Sequence, residues 1–158
     1  MEINTTRFGN IEVEQEKVIF FPEGIPGFEE SKRYIFLPEE RVKLPGEKLE
    51  IFHWLQSISD PAVAFLVINP YLFFSDYEID LPDEDVQVLN LQGSEEVAIF
   101  AIVTIPGDDT AKITANLLAP IVINTRLKQA KQVILSRSSY SARHLLFSKA
   151  NPKKSDSD

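Results

Sequence analysis

Along most of this chain, apolar residues alternate singly with polar ones or gather in short runs, the period of β-strands rather than of helices. Ile11 and Val13 alternate with Glu12 and Glu14, the signature of a strand with one wet face. Residues 2–21 therefore predict three short strands, with turns at Arg7-Phe8-Gly9-Asn10 and Glu14-Gln15-Glu16-Lys17. Residues 34–37 predict another strand, and the charged stretch 38–50, centred on Pro45-Gly46, an exposed loop. Between residues 50 and 68, two apolar strands flank Ser57-Ile58-Ser59-Asp60-Pro61, a hairpin pattern. Residues 97–105 carry no alternation, which predicts a central strand buried on both faces. Two further strands are expected within residues 112–124, broken near Ala119-Pro120, then a turn at 125–129 and a last clear strand at 132–136. Beyond Tyr140 the pattern fades.

One helix is expected. Leu81-Pro82-Asp83-Glu84-Asp85 places proline near the first helical position and acids in the first turn, facing the helix dipole. Val86 and Leu89 would share a face, and Gly93 should end the element. The fold class that follows is all-β: a single-domain, barrel-like, antiparallel fold of about eight to ten short strands with one short helix. Residues 1–147 form that domain, and 148–158 read as a disordered tail.

The sharpest local feature is V-I-F-F-P-E-G-I-P-G-F-E-E at residues 18–30. Pro22 stops the strand by removing a backbone donor, and Gly24 and Gly27 permit positive φ. Ile25 and Phe28 should both fold inward, since burying one such side chain is worth about 1.5–3 kcal/mol. On the residues alone this is a structural β-corner rimmed by Glu23, Glu29 and Glu30. Further on, Asp76, Glu78 and Asp80 alternate with Tyr77, Ile79 and Leu81, so the carboxylates should line one exposed face of a strand. Such a ladder suits a basic partner, and equally a solvated edge that discourages aggregation. Trp54, the single tryptophan, should anchor the core, and His53 should point to the opposite side of its strand. His53 and His144 each stand alone, which favours structural roles.

Charge changes the picture. The net charge of −8 is unevenly placed, with the acids concentrated before residue 97 and no acidic residue between Thr110 and Ser155. A large acidic field repels phosphate chains and attracts basic protein surfaces. The lack of cysteine excludes disulfides and thiol catalysis and suits a reducing cytosol. The opening residues lack signal-peptide order, and no apolar run spans a bilayer, so a cytoplasmic protein is expected. Nothing matches a nucleophile elbow, a glycine-rich phosphate loop, a calcium loop or a metal-ligand cluster. The reading is therefore no enzyme, no cofactor and no metal.

The motif F-P-x-G-I-P-G-F-E at residues 21–29 resembles the signature of the flagellar assembly factor FliW family. Six further pieces follow the same pattern in order: Phe8-Gly9, W-L-Q-S at 54–57, D-P-x-x-A-F at 60–65, Asp76-Tyr77, T-x-N-L-x-A-P-I-x-I-N at 114–124 and K-Q-V-I-L at 131–135. Similarity to that family implies a non-enzymatic cytoplasmic protein with two alternative protein partners. These are flagellin and CsrA, the small RNA-binding repressor of flagellin translation. The resemblance implies binding to CsrA away from its RNA-contacting surface, which relieves repression of flagellin mRNA, and recapture by accumulating flagellin. The surface set expected to carry this is Glu23, Glu29, Asp76, Glu78 and Asp80, with Phe73, Tyr77 and Asn124 as apolar or polar anchors. A monomer is expected rather than an oligomer, with no nucleic acid bound directly and no membrane. The alternative is an RNA-binding β-barrel that uses the basic C-terminal half.

Overall fold

The structure, a computed structural model, describes residues 1–39, 51–93, 96–107, 109–135 and 139–147. Most of the loop expected at 38–50, and the expected tail from residue 148, lie outside the described residues. Strands β1 (Glu2–Thr5) and β2 (Gly9–Glu12) form a separate hairpin. The remaining strands are β3 (Ile19–Phe20), β4 (Arg33–Pro38), β5 (His53–Ser57), β6 (Ala64–Ile68), β7 (Val97–Thr104), β8 (Thr114–Ala115), β9 (Ile121–Asn124), β10 (Gln129–Gln132) and β11 (His144–Leu145).

Among them, β3, β4, β5, β6, β7, β9 and β10 pair in that order, and β10 returns to β3 to close a ring. The described residues thus form a closed barrel, all-β with one short α-helix; the all-β class and the helix are as expected from the sequence, and closure is set by the pairing of β10 with β3 and of β7 with β9. Closure depends on β7, whose residues 97–100 pair with β9, 101–102 with β6 and 103–104 with β8. Among the described residues, the one departure from antiparallel pairing between strands is the contact of β10 with β3, where Gln129 stands beside Phe20 in parallel register. Outside the ring, β8 and β11 extend β7 as a flap.

The alternation sorts side chains into an inside and an outside. Ile19, Tyr34, Leu55, Val67, Phe100, Ile123 and Ala130 come from the seven ring strands in turn and belong to one cluster, which is the barrel interior. On the outer face, Leu66, Ile68, Ala101, Val103 and Val122 join Phe52, Tyr77, Leu89 and Leu117 in a second core. That second core explains why residues 97–105 lack alternation: β7 is covered on both sides. Its first four residues are nonetheless only half-buried. The β1–β2 hairpin seals the outer face of β4 through Ile3, Val13 and Ile35.

Several expectations are corrected. Residues 76–80 form no strand; they cross the outer core as an irregular segment with alternating burial. The strand expected at 132–136 is β10, three residues earlier, because its ladder with β9 is set by the tight turn at residues 125–128, where Lys128 takes φ 55°. A strand also forms where the pattern fades, β11, held by pairing with β8 rather than by its own periodicity. Helix α1 (Asp83–Val88) starts after Pro82 as expected, yet it closes at Leu89 with Asn90 at φ 55°, well before Gly93. Trp54 is only half-buried: its indole Nε1 donates to Glu39 Oε1 at 2.6 Å while the Arg7 guanidinium stacks 3.9 Å from the ring centroid.

Candidate partner-binding surface

The corner after β3 is built from its glycines. Gly24 N–H donates to the Phe21 carbonyl at 2.9 Å, and Gly24 sits at φ +69°, where a Cβ would meet Glu29 Cα at 2.6 Å. No other residue fits there. Gly27, at φ +91°, donates its N–H to Glu29 Oε2 at 3.0 Å. That bond first, then the backbone of Glu29 itself and the charge of Lys32, hold the Glu29 carboxyl below the usual carboxylate range. Ile25 folds inward at 2% exposure, but Phe28 does not. At 43% exposed, Phe28 leans edge-on against Phe65 with centroids 5.1 Å apart, because the barrel interior is already filled by Phe21 and Ile25.

Glu23 is exposed beside this corner and approaches Lys131 Nζ at 3.7 Å. The same ammonium bonds Asp85 Oδ1 at 2.5 Å, so one lysine ties the corner to the first turn of α1. Its pKa is raised, chiefly by the bond to Asp85 and further by the charges of Asp85, Glu23 and Glu84. The sequence showed Lys131 only as the first residue of the K-Q-V-I-L piece, with nothing local to signal that it would reach Asp85 and Glu23.

The segment before α1 holds the other acids. Asn69 Oδ1 accepts from the Tyr71 N–H at 3.0 Å and starts a single 3-10 turn, Pro70–Leu72. Tyr77 then drops into the outer core, and its hydroxyl donates to the Leu117 carbonyl at 2.6 Å. The Tyr140 hydroxyl accepts from the Glu78 N–H at 2.9 Å, and the Tyr77 and Tyr140 rings meet edge to face at 4.7 Å. With Tyr77 buried and Ile79 half-buried, Asp76, Glu78 and Asp80 are exposed. Their outward alternation is as expected, although no strand produces it.

Unlike these exposed acids, the expected anchors are half-buried or buried. Phe73 is half-buried, packed on the outer core and edge-on to Phe147 at 5.8 Å. Tyr77 is 4% exposed, with its polar end spent on Leu117. Asn124 is fully buried: its amide donates to the Leu89 carbonyl at 2.8 Å, and its Oδ1 accepts from the N–H groups of Arg126 and Leu127, each at 3.0 Å. Neither Tyr77 nor Asn124 presents a polar group to a partner in this arrangement. Both hold the surface in shape.

The C-terminal cations are partly engaged. Arg126 Nε donates to Glu96 Oε1 at 3.0 Å, Lys112 lies 3.9 Å from Asp109, and Lys131 is held by Asp85. Lys128 and Arg143 are exposed, while Arg137, Lys149, Lys153 and Lys154 lie outside the described residues. His53 packs edge-on to Phe36, and His144 edge-on to Phe74 at 4.9 Å, where burial pushes its pKa down. Among the described residues, no three His, Asp or Glu side chains converge as a metal site requires, and no helix is long and apolar enough to cross a membrane.

A family model described as FliW protein matches residues 2–146. The chain belongs to the FliW family. It is 42% identical over 149 residues to the flagellar assembly factor FliW of Geobacillus kaustophilus, covering 93% of this chain and 96% of that one. To the FliW of Alkaliphilus metalliredigens it is 38% identical over 147 residues, with 93% and 86% covered. A crystal structure of the flagellar assembly factor FliW superimposes with a TM-score of 0.81 at 38% identity, covering 94% of this chain and 99% of that chain. The closed barrel, the glycine corner and the outer core therefore belong to a FliW fold, and a role in flagellar assembly comes with the family.

Proposed function

We propose that this protein is a non-enzymatic FliW-type regulator that acts in the cytoplasm, as a monomer, by exchanging two protein partners. It binds CsrA away from the RNA-contacting surface and so relieves repression of flagellin mRNA; accumulating flagellin then takes it back and frees CsrA. Two complexes compete for one limited protein, so flagellin level sets free CsrA by mass action. Binding away from the RNA surface also requires that this protein and the mRNA weaken each other's hold on CsrA by one shared factor.

The observation that carries the reading is the row Asp76, Glu78 and Asp80, kept in solvent because Tyr77 between them is fastened to Leu117. Fixed carboxylates on a body of net charge −8 attract a basic RNA-binding protein and raise the cost of phosphates near it. Glu23 and Glu29 extend the acidic surface at the corner, and Phe73 supplies apolar contact beside it. The pairing of Arg126 and Lys131 with acids weighs against a continuous RNA-binding face in the C-terminal half.

Purified protein mixed with CsrA and with flagellin, and the complexes weighed by light scattering, tests the partners. An electrophoretic shift with flagellin leader RNA tests the mechanism. No shift is expected with this protein alone, and loss of the CsrA shift is expected on adding it. A shift by this protein alone would support the RNA-binding alternative instead.

A further inference from the structure

Between the glycine corner and the connection from β5 to β6 lies an open surface cleft of about 460 Å³, lined by Phe28, Glu29, Glu30, Ser31, Ser59 and Asp60 among others. We propose that this cleft seats an arginine side chain of a protein partner, its guanidinium on the exposed Phe28 ring and facing the carboxylates of Glu29, Glu30 and Asp60. The inference rests on the reading that this protein works by binding other proteins, and it names the chemistry of one contact.

Two features of the cleft, together with the chemistry of the guanidinium itself, point to this ligand. The charged groups in its lining are all carboxylates; Lys32, which acts on Glu29, is not part of the lining. Phe28 offers a large apolar surface, 43% exposed, that its edge-on contact with Phe65 leaves uncovered. A flat, weakly hydrated guanidinium uses an aromatic face and carboxylates together, as a compact ammonium does not.

The cleft is also preformed. The Ser31 and Ser57 hydroxyls bond across its base at 2.5 Å, and Ser57 Oγ accepts from the Asp60 N–H at 3.0 Å. Both walls are thereby tied to one point, and Gly24 fixes the approach of the corner. A rigid site loses little ordering entropy on binding.

The test is an amide chemical-shift titration of the full chain with acetyl-Gly-Arg-Gly-amide, compared with the lysine and citrulline versions. Saturable shifts confined to residues 27–31 and 59–63 are expected, strongest for arginine, weaker for lysine and absent for citrulline. Phe28→Ala and Glu30→Gln change exposed residues, so folding is retained, and each should weaken binding about threefold or more. Equal shifts from citrulline, shifts scattered over the acidic surface, or unchanged binding in Phe28→Ala would overturn the proposal. The two readings part cleanly: CsrA and flagellin binding without corner shifts sinks the cleft alone, whereas corner shifts without either partner sink the partner exchange alone.

Discussion

Asn124, the last residue of β9, donates from its side-chain amide to the carbonyl of Leu89 at 2.8 Å, so the barrel wall carries the end of the helix that covers it. A second, longer bond reaches the Asn90 carbonyl at 3.3 Å, where the chain takes positive φ, and Oδ1 shapes the turn into β10. Asn124→Ala should leave the buried Leu89 carbonyl unpaired, remove the part-buried bonds to Asn90, Arg126 and Leu127, and cost about 3 kcal/mol of unfolding free energy. Denaturant unfolding measures this. CsrA affinity of the folded fraction should stay within twofold of the parent; a stable variant with lost affinity would return Asn124 to the contact surface.

Tyr77 gives a prediction in pH. Burial, above all, raises its phenol pKa well beyond the ordinary 10, and the nearby Tyr71 and Tyr140 hydroxyls add to this. A raised folded pKa means that only the unfolded chain ionises near pH 10, so stability is complete below that point and falls as pH rises through it. Tyr77→Phe loses the bond to Leu117, about 1 kcal/mol at pH 8, yet should show a shallower loss of stability between pH 9 and 11. Tyr34 and Tyr71 are shifted the same way and keep some slope in the variant. Unfolding midpoints at several alkaline pH values decide it, and equal slopes would mean that Tyr77 ionises freely in the folded state.

How much of this was legible beforehand depends on range. Local chemistry read well: Pro22 and the two glycines announced the corner, Pro82 and its acids the helix start, and the unbroken 97–105 run the doubly covered strand. Where pairing partners decide, the pattern misled. Residues 76–80 alternate like a strand because one side lies on the outer core, but no neighbouring strand offers them a ladder. Conversely β11 has no periodicity of its own and exists through β8. Phe28 and Asn124 show the same limit for the candidate surface: burial of a single side chain depends on whether the space is already taken, which no residue type reveals.

Gly24 tests the claim that the corner is a fixed object. Alanine there combines a strained positive φ with a Cβ placed 2.6 Å from the Glu29 backbone, which cannot step aside as a side chain would. Gly24→Ala should therefore cost about 3 kcal/mol or more, whereas Gly27→Ala, whose Cβ meets nothing within 4 Å, should cost only the strain of its φ, about 1 kcal/mol. Thermal unfolding of the pair measures the difference, and equal losses would show that the corner relaxes.

The acid row decides whether the surface reading holds. Asp76, Glu78 and Asp80 are exposed and make no contribution to either core, so reversing all three to lysine should leave the fold intact. For free partners the three changes remove long-range attraction and add repulsion, which slows association first and steepens no other step. CsrA affinity at low salt should fall at least tenfold, and its dependence on salt should flatten, because exposed charges act through a screening length of about 10 Å at 0.1 M ionic strength. Leu72→Ser, an apolar change at a neighbouring exposed residue, separates charge from contact: it should move dissociation and leave the salt slope alone. Titration calorimetry or surface binding across a salt series reads both quantities. An unchanged affinity and salt slope in the triple reversal would place the CsrA contact elsewhere on the barrel.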